Sequence, residues 1–209
     1  MVDTGVTGHL DSPVYLGAVA VGAMIFSFLY TGVNFLRMGT TGITAEHFGA
    51  DDNDRLRVSL GQALVVAIVL ALSFIALQAP IGNLAMHLLG PDSTTETHAL
   101  EYFSIRIWSA PGTLANYALI GWFIGLSNAR VPLFIFLTIN MTNIVLDLLF
   151  VIVLGMNVDG VALASVFAEY SGLAVGVTFA VAELRRRTGH WPLDQLTNIA
   201  EYKAFFAIN

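Results

Sequence analysis

From Val131 to Val158 the chain runs for 28 residues with a single charge, Asp147, set among leucine, isoleucine, valine and phenylalanine. About 20 apolar residues suffice to cross a bilayer. A carboxylate kept in hydrocarbon is costly, which makes Asp147 a functional candidate in need of a partner. Asn143 lies one helical turn before it and Asn140 one turn before that. At 3.6 residues per turn the three share a face. Oxygen ligands of this kind suit a small hard cation, and the carboxylate can instead take a proton. The plainer reading makes Asp147 a hydrogen-bond partner that holds helices together.

Depth along the helices, at about 1.5 Å per residue, brings other polar groups to the same level. Asp147 falls roughly 12 Å in from Gly155, and Asp3 about as far in from Asp11. Ser165, shortly after Gly160, is in the same half, and Glu169 is one turn deeper. Ser165, Glu169, Gly172 and Gly176 recur on one face. The candidate cation or proton site is therefore Asp3, Asn143, Asp147 and Ser165, with Na+ the metal ion it could take. Asn140, Glu169 and Arg37 are candidates for a cavity or for coupling. Arg37 can either snorkel to the headgroups or line a cavity, whereas Arg106 is expected to snorkel from an outer boundary. The five histidines show no ligand spacing, and no Ser-His-Asp set, phosphate loop or HExxH is present. A membrane enzyme thus has little support, and no cofactor is expected beyond a coupling ion, H+ or Na+.

The elements that must carry these groups are membrane helices. Of 209 residues 56% are hydrophobic and 11% charged, with mean hydropathy +0.73; ordinary soluble domains carry about 25% charged residues. The net charge of −6 argues against a nucleic-acid partner, which needs a basic face. There is no cysteine, hence no disulfide and no thiolate chemistry. Five spans are expected, at Pro13–Leu36, Val58–Leu77, Tyr102–Leu126, Pro132–Leu154 and Gly160–Ala182. The first is expected to continue as helix through Arg37 toward Phe48. Pro80 is expected to end the second, leaving Ile81–Leu89 as a short interfacial segment. Gly121-x-x-x-Gly125 reads as a packing motif.

Loop charge orients the bundle. The loops at Phe48–Arg57, Ser127–Val131 and Glu183–Lys203 hold seven of the nine basic residues, and those at Gly90–Glu101 and Gly155–Asp159 hold none. The positive-inside rule sends the first group to the cytoplasm, in a multi-pass inner-membrane protein. Asp11–Pro13 then lies outside, so Met1–Leu10 reads as the outer end of a helix whose beginning is missing. Pro192–Asn209 reads as an amphipathic connector toward a further span. The expected organisation is an amino-terminal transmembrane lobe over residues 1–184 and a cytoplasmic or interfacial connector over 185–209. The chain is expected to be incomplete at both ends.

The strings Val2-Asp3-Thr4-x-Val6-x-Gly8-His9-Leu10-Asp11-Ser12-Pro13-Val14-Tyr15-Leu16-Gly17 and Phe35-Leu36-Arg37-Met38-Gly39-Thr40-Thr41-Gly42 resemble the multidrug and toxic compound extrusion (MATE) family, in its DinF-like branch. Ser109-Ala110-Pro111, Asn143-Ile144-Val145-Leu146-Asp147, Gly160-Val161-Ala162-Leu163-Ala164-Ser165 and Ala168-Glu169-Tyr170 continue the match. The resemblance implies an all-α fold of two six-helix lobes, of which this chain supplies the amino-terminal one as five spans and the end of a first helix. It implies a cation-coupled antiporter that exports organic, often cationic and amphipathic, compounds. The proposed cation site of that branch matches Asp3, Asn143 and Asp147, and a threonine of some relatives matches Ser165. The expected partners are the lipid bilayer, small organic substrates and a missing carboxy-terminal lobe. The alternative is a non-transporting remnant or a partner-dependent membrane scaffold.

Overall fold

The computed structural model describes residues 13–191 together with Tyr202. Among these residues every regular element is helical, and apolar side chains crowd the outside as well as the inside. Phe28, Leu88 and Val153 are among the large hydrophobic residues that stand exposed. That is the surface of a bundle solvated by lipid, which also obliges the backbone to satisfy its hydrogen bonds within each helix.

Helices α1 (Pro13–Gly32) and α2 (Phe35–Gly49) form a nearly continuous rod. The joint at Val33–Asn34 tightens by bonds from Leu36 N to Val33 O and from Arg37 N to Asn34 O. The rod is 37 residues long, about 55 Å. It outreaches a hydrocarbon core of about 30 Å. The first expected span therefore continues through Arg37 as the sequence suggested.

Helix α3 (Asn53–Ala76) starts at Asp52, whose side chain accepts from Arg55 N at 2.9 Å. It stops four residues short of Pro80. A proline ring collides with the carbonyl four residues back, here that of Ala76, so the break precedes the proline. Pro80 instead sits in the first turn of α4 (Gln78–Leu89), where its missing N–H costs nothing. Gly90, at φ 58°, ends α4 in the left-handed conformation that favours glycine.

The third expected span is not one helix. It begins at Ser93, nine residues before Tyr102, as α5 (Ser93–Arg106), passes through a 3-10 turn at Ile107–Ser109, and resumes as α6 (Ala110–Gly125). Asp92 starts α5 by accepting from Thr94 N and Thr95 N, both at 3.1 Å. Pro111 collides in the same way with the carbonyl of Ile107, which places the 3-10 turn there. Helix α7 (Arg130–Asp147) ends in a π-helical turn at Leu148–Val153, and α8 (Val158–Arg186) returns antiparallel to it. Four helical rods, Pro13–Gly49, Asn53–Ala76, Arg130–Val153 and Val158–Arg186, are long and apolar enough to cross a membrane. The interrupted α5–α6 rod makes the fifth crossing of this polytopic bundle.

Close backbone contact fixes how the rods meet. Gly121 and Gly125 of α6 face α2. A Cβ at Gly121 would lie 2.5 Å from Arg37 O, and one at Gly125 2.6 Å from Thr44 Cβ and 2.8 Å from Thr41 O. The glycine pair thus performs the packing role read from its spacing. Trp122, fully buried, donates to Leu56 O at 3.0 Å and ties α6 to α3. On the far side of α6, Gly172 and Gly176 of α8 admit Ile139 and Ile135 of α7.

Candidate functional site

Asp147 is wholly buried, with 0% of its surface exposed. It is the last α-helical residue of α7, at the point where the helix widens into the π turn. Such turns shift side chains out of register and recur at functional sites. Helices α7 and α8 are held in register by Ser171 Oγ donating to Thr142 Oγ1 at 3.1 Å and by the meeting of Ile139 with Gly172 and of Ile135 with Gly176. Carried along the antiparallel pair, that register sets Asp147 level with Ala164 and Ser165. Ser165 is 5% exposed. Two of the four expected site residues therefore share a level in the folded chain.

The polar stripe read on α7 turns gradually outward. Asn143 is half-buried, while Asn140 is exposed and donates its amide to Phe136 O at 2.7 Å, within its own helix. Asp3 lies outside the described residues, as does most of the expected connector over 185–209. Among the described residues no three of His, Asp and Glu gather around one point.

Glu169 stands apart from Asp147 and faces α6. Asn116, 2% exposed, directs Nδ2 to both Glu169 Oε2 and Glu169 O, each at 3.0 Å. The backbones come together there because Gly112 has no side chain: a Cβ on it would be 3.3 Å from Glu169 C. Tyr170, the next residue, donates to Trp108 O at 3.0 Å and attaches α8 to the 3-10 turn. Asn116 drew no notice in the sequence, because an asparagine within an apolar helix has no visible partner until a second helix supplies one.

A cavity of about 450 Å³ opens beside this junction, lined by α1, α2, α5 and α6. Phe26, Tyr30 and Tyr117 form its aromatic wall, with Tyr30 and Tyr117 edge to face at 6.2 Å. Tyr30 and Ser109 hydroxyls lie 3.4 Å apart. Arg37 lines the cavity with its guanidinium 5.8 Å over the Tyr117 ring. The expectation for Arg106 is overturned. Its side chain turns inward, donates to the Tyr102 hydroxyl and lies 5.3 Å over the Phe26 ring. The buried rings of Tyr102 and Phe26 supply the contacts that hold it there.

The comparisons with known proteins agree with this architecture. The MatE family profile matches residues 1–149. The DNA damage-inducible protein F of Escherichia coli is 45% identical over 187 residues, covering 90% of this chain and 41% of that protein. Protein DETOXIFICATION 44, chloroplastic, of Arabidopsis thaliana is 30% identical over 182 residues, covering 81% of this chain and 35% of that protein. A multidrug resistance MATE family transporter of the MOP superfamily, solved in an inward-facing conformation, superposes with a TM-score of 0.87 at 20% identity, over 99% of this chain and 47% of that one. At that identity the last likeness speaks for the fold alone. The chain spans less than half the length of these relatives.

Proposed function

The chain belongs to the MatE family of membrane transporters, and from that premise we propose that the whole protein is a cation-coupled antiporter that exports organic amphipathic compounds. The observation that carries this reading is the position of Asp147: a fully buried carboxylate at an α-to-π junction, level with Ser165 and separate from the open cavity. Asp147, Asn143 and Ser165, joined by Asp3, take H+ or Na+ as the coupling ion. Cargo occupies the cavity between α1, α2, α5 and α6, completed by a second lobe. The basic loops face the cytoplasm of the inner membrane.

The separation of the two sites suggests how they communicate. Neutralising Asp147 removes a charge from the α7–α8 seam and alters how those helices pack. Helix α8 is bonded to α6 through Glu169 and Asn116, and Tyr117, next to Asn116, lines the cavity. A movement of α8 therefore reaches the cargo site through the Glu169–Asn116 contact. A charge bound at one place and cargo released at another is the arrangement exchange requires.

The test is efflux from cells that express the full-length protein, loaded in turn with ethidium and with 2-naphthoate. Asp147→Asn retains the size and most of the hydrogen bonding of the side chain but loses its charge. Export of at least one probe by the natural protein, lost in Asp147→Asn at equal membrane abundance, is the expected result. Equal export by the two proteins, or none by either, refutes the proposal.

A further inference from the structure

We propose that Glu169 is a second proton-binding site, separate from Asp147 and reached from the cavity along a row of hydroxyls. Its use in exchange rests on the transport reading above; its chemistry does not. Glu169 lies about 16 Å along α8 from Val158, near the middle of a hydrocarbon core of about 30 Å. A carboxyl at that depth is costly, and the groups around it decide in which forms it can be held. Asn116 directs Nδ2 to Glu169 Oε2, a bond that suits the carboxylate. Two further oxygens of α6, Asn116 Oδ1 and Thr113 Oγ1, are buried and have no hydrogen-bond partner among the described residues. Buried polar atoms are rarely left so. Protonation of Glu169 supplies a donor for them: the new O–H serves Thr113 Oγ1, or Asn116 Oδ1 once the amide turns over. An asparagine carries both a donor and an acceptor, and so fits a carboxyl in either state.

The same face of the α5–α6 rod leads to the cavity. Ser109, Thr113 and Asn116 recur at i, i+4 and i+7, and all three are buried. Tyr30, on the cavity wall, has its hydroxyl 3.4 Å from Ser109 Oγ. The Thr113 hydroxyl interacts with the Tyr30 hydroxyl on one side and the Glu169 carboxyl on the other, but closes a bond of full geometry with neither. A small shift of α6 against α8 completes the row. A proton from cavity water then enters at Tyr30, and each hydroxyl accepts one proton as it passes on its own. No hydroxyl is left charged, and the carboxylate gains an O–H bond. The charged and titratable groups described around Glu169 are Tyr30 of α1, Arg106 of α5 and Tyr117 of α6. Helix α7 carries Asp147, on the other seam of α8, and Asp3 lies outside the described residues.

Infrared difference spectra of the full-length protein in phosphatidylcholine nanodiscs test this without cargo or an ion gradient. Spectra between about pH 9 and about pH 4 span the range in which buried and exposed carboxyls titrate. Acidification is expected to raise a carboxylic-acid C=O band that persists in Asp147→Asn and is lost in Glu169→Gln, whose amide keeps the side-chain length. Asn116→Ala, which leaves Glu169 in place, should move the same band to higher frequency, because its carbonyl loses a donor. In heavy water the band shifts as O–H becomes O–D, and Thr113→Val should slow that exchange at least tenfold. A band that survives Glu169→Gln, the absence of any such band, or a frequency unmoved by Asn116→Ala overturns the proton site. Exchange at an unchanged rate in Thr113→Val overturns the route from the cavity. Failure of the transport reading would appear in the efflux assay and leave these spectra unaltered.

Discussion

Asn116→Ala tests the contact through which the α7–α8 pair would act on the cavity. The substitution removes a donor that serves two acceptors of Glu169, the carboxylate oxygen and the backbone carbonyl, each at 3.0 Å. In water-soluble proteins a bond to a charged group contributes about 1.5–3 kcal/mol. Between membrane helices measured coupling is smaller, averaging about 0.6 and reaching about 1.7 kcal/mol, since the separated helices also find partners. A nearly inaccessible amide with a carboxylate acceptor belongs at the upper end. The coupling between Asn116→Ala and Glu169→Ala should then be about 1.5 kcal/mol, roughly a tenfold change in the unfolding equilibrium. The cycle isolates the carboxylate bond, because the backbone acceptor survives in Glu169→Ala. Unfolding the four proteins with dodecyl sulfate in mixed micelles, followed by far-ultraviolet circular dichroism, supplies the four free energies. Additive single effects, within about 0.4 kcal/mol, would show that the 3.0 Å geometry carries no coupling and that α6 and α8 are held by other contacts.

Three further outcomes follow from the packing and the helix ends. Gly125→Ala places a methyl 2.6 Å from Thr44 Cβ and should destabilise the bundle by about 1–3 kcal/mol in the same micelle titration, whereas Gly49→Ala, with nothing within 4 Å, should change it by no more than about 0.5 kcal/mol; equal effects would contradict the α2–α6 seam. Arg57, 5% exposed, donates Nη2 to Leu184 O at 2.9 Å and to Arg187 O at 2.8 Å, closing the end of α8. Arg57→Gln should make the Arg185–Arg187 segment at least tenfold more sensitive to brief trypsin treatment, and unchanged cleavage would show that the clamp is dispensable. At the start of α5 the hydroxyl of Thr95, with the backbone N–H groups of Thr95 and Thr94, holds the Asp92 carboxyl below its ordinary value. Its contribution to stability is therefore complete above the unfolded value of about 3.9 and is lost as pH falls through the lower folded value. Thermal melts of Asp92→Asn should accordingly lose less stability below about pH 4 than those of the natural protein; an identical acid limb would mean that this cap does not titrate with folding.

The sequence by itself determined the membrane class, the rods, and the isolation of Asp147. Each of these rests on composition or on spacing along one helix, which local physics sets: long apolar runs need no partner to be recognised, and a lone charge within one stands out. It also marked Gly121 and Gly125 as a packing face, although not that α2 would be the neighbour. The breaks were less legible. The second span was expected to end at Leu77, ahead of Pro80, and α3 ends at Ala76; Pro111 lay inside a span read as continuous, and only the structure placed a 3-10 turn at Ile107–Ser109, where its ring would strike a carbonyl.

The π turn beyond Asp147 has no proline or glycine to announce it, and nothing in Leu148–Val153 distinguishes it from ordinary helix. The side-chain partnerships were settled by tertiary structure alone. Glu169 shares a helical face with Ser165 in the sequence, yet bonds to Asn116 on another helix. Arg106 read as a boundary arginine, yet its side chain turns inward to Tyr102, Phe26 and the cavity wall. Periodicity fixes which residues share a face, but which helix meets that face, and at what register, depends on contacts between segments far apart in the chain.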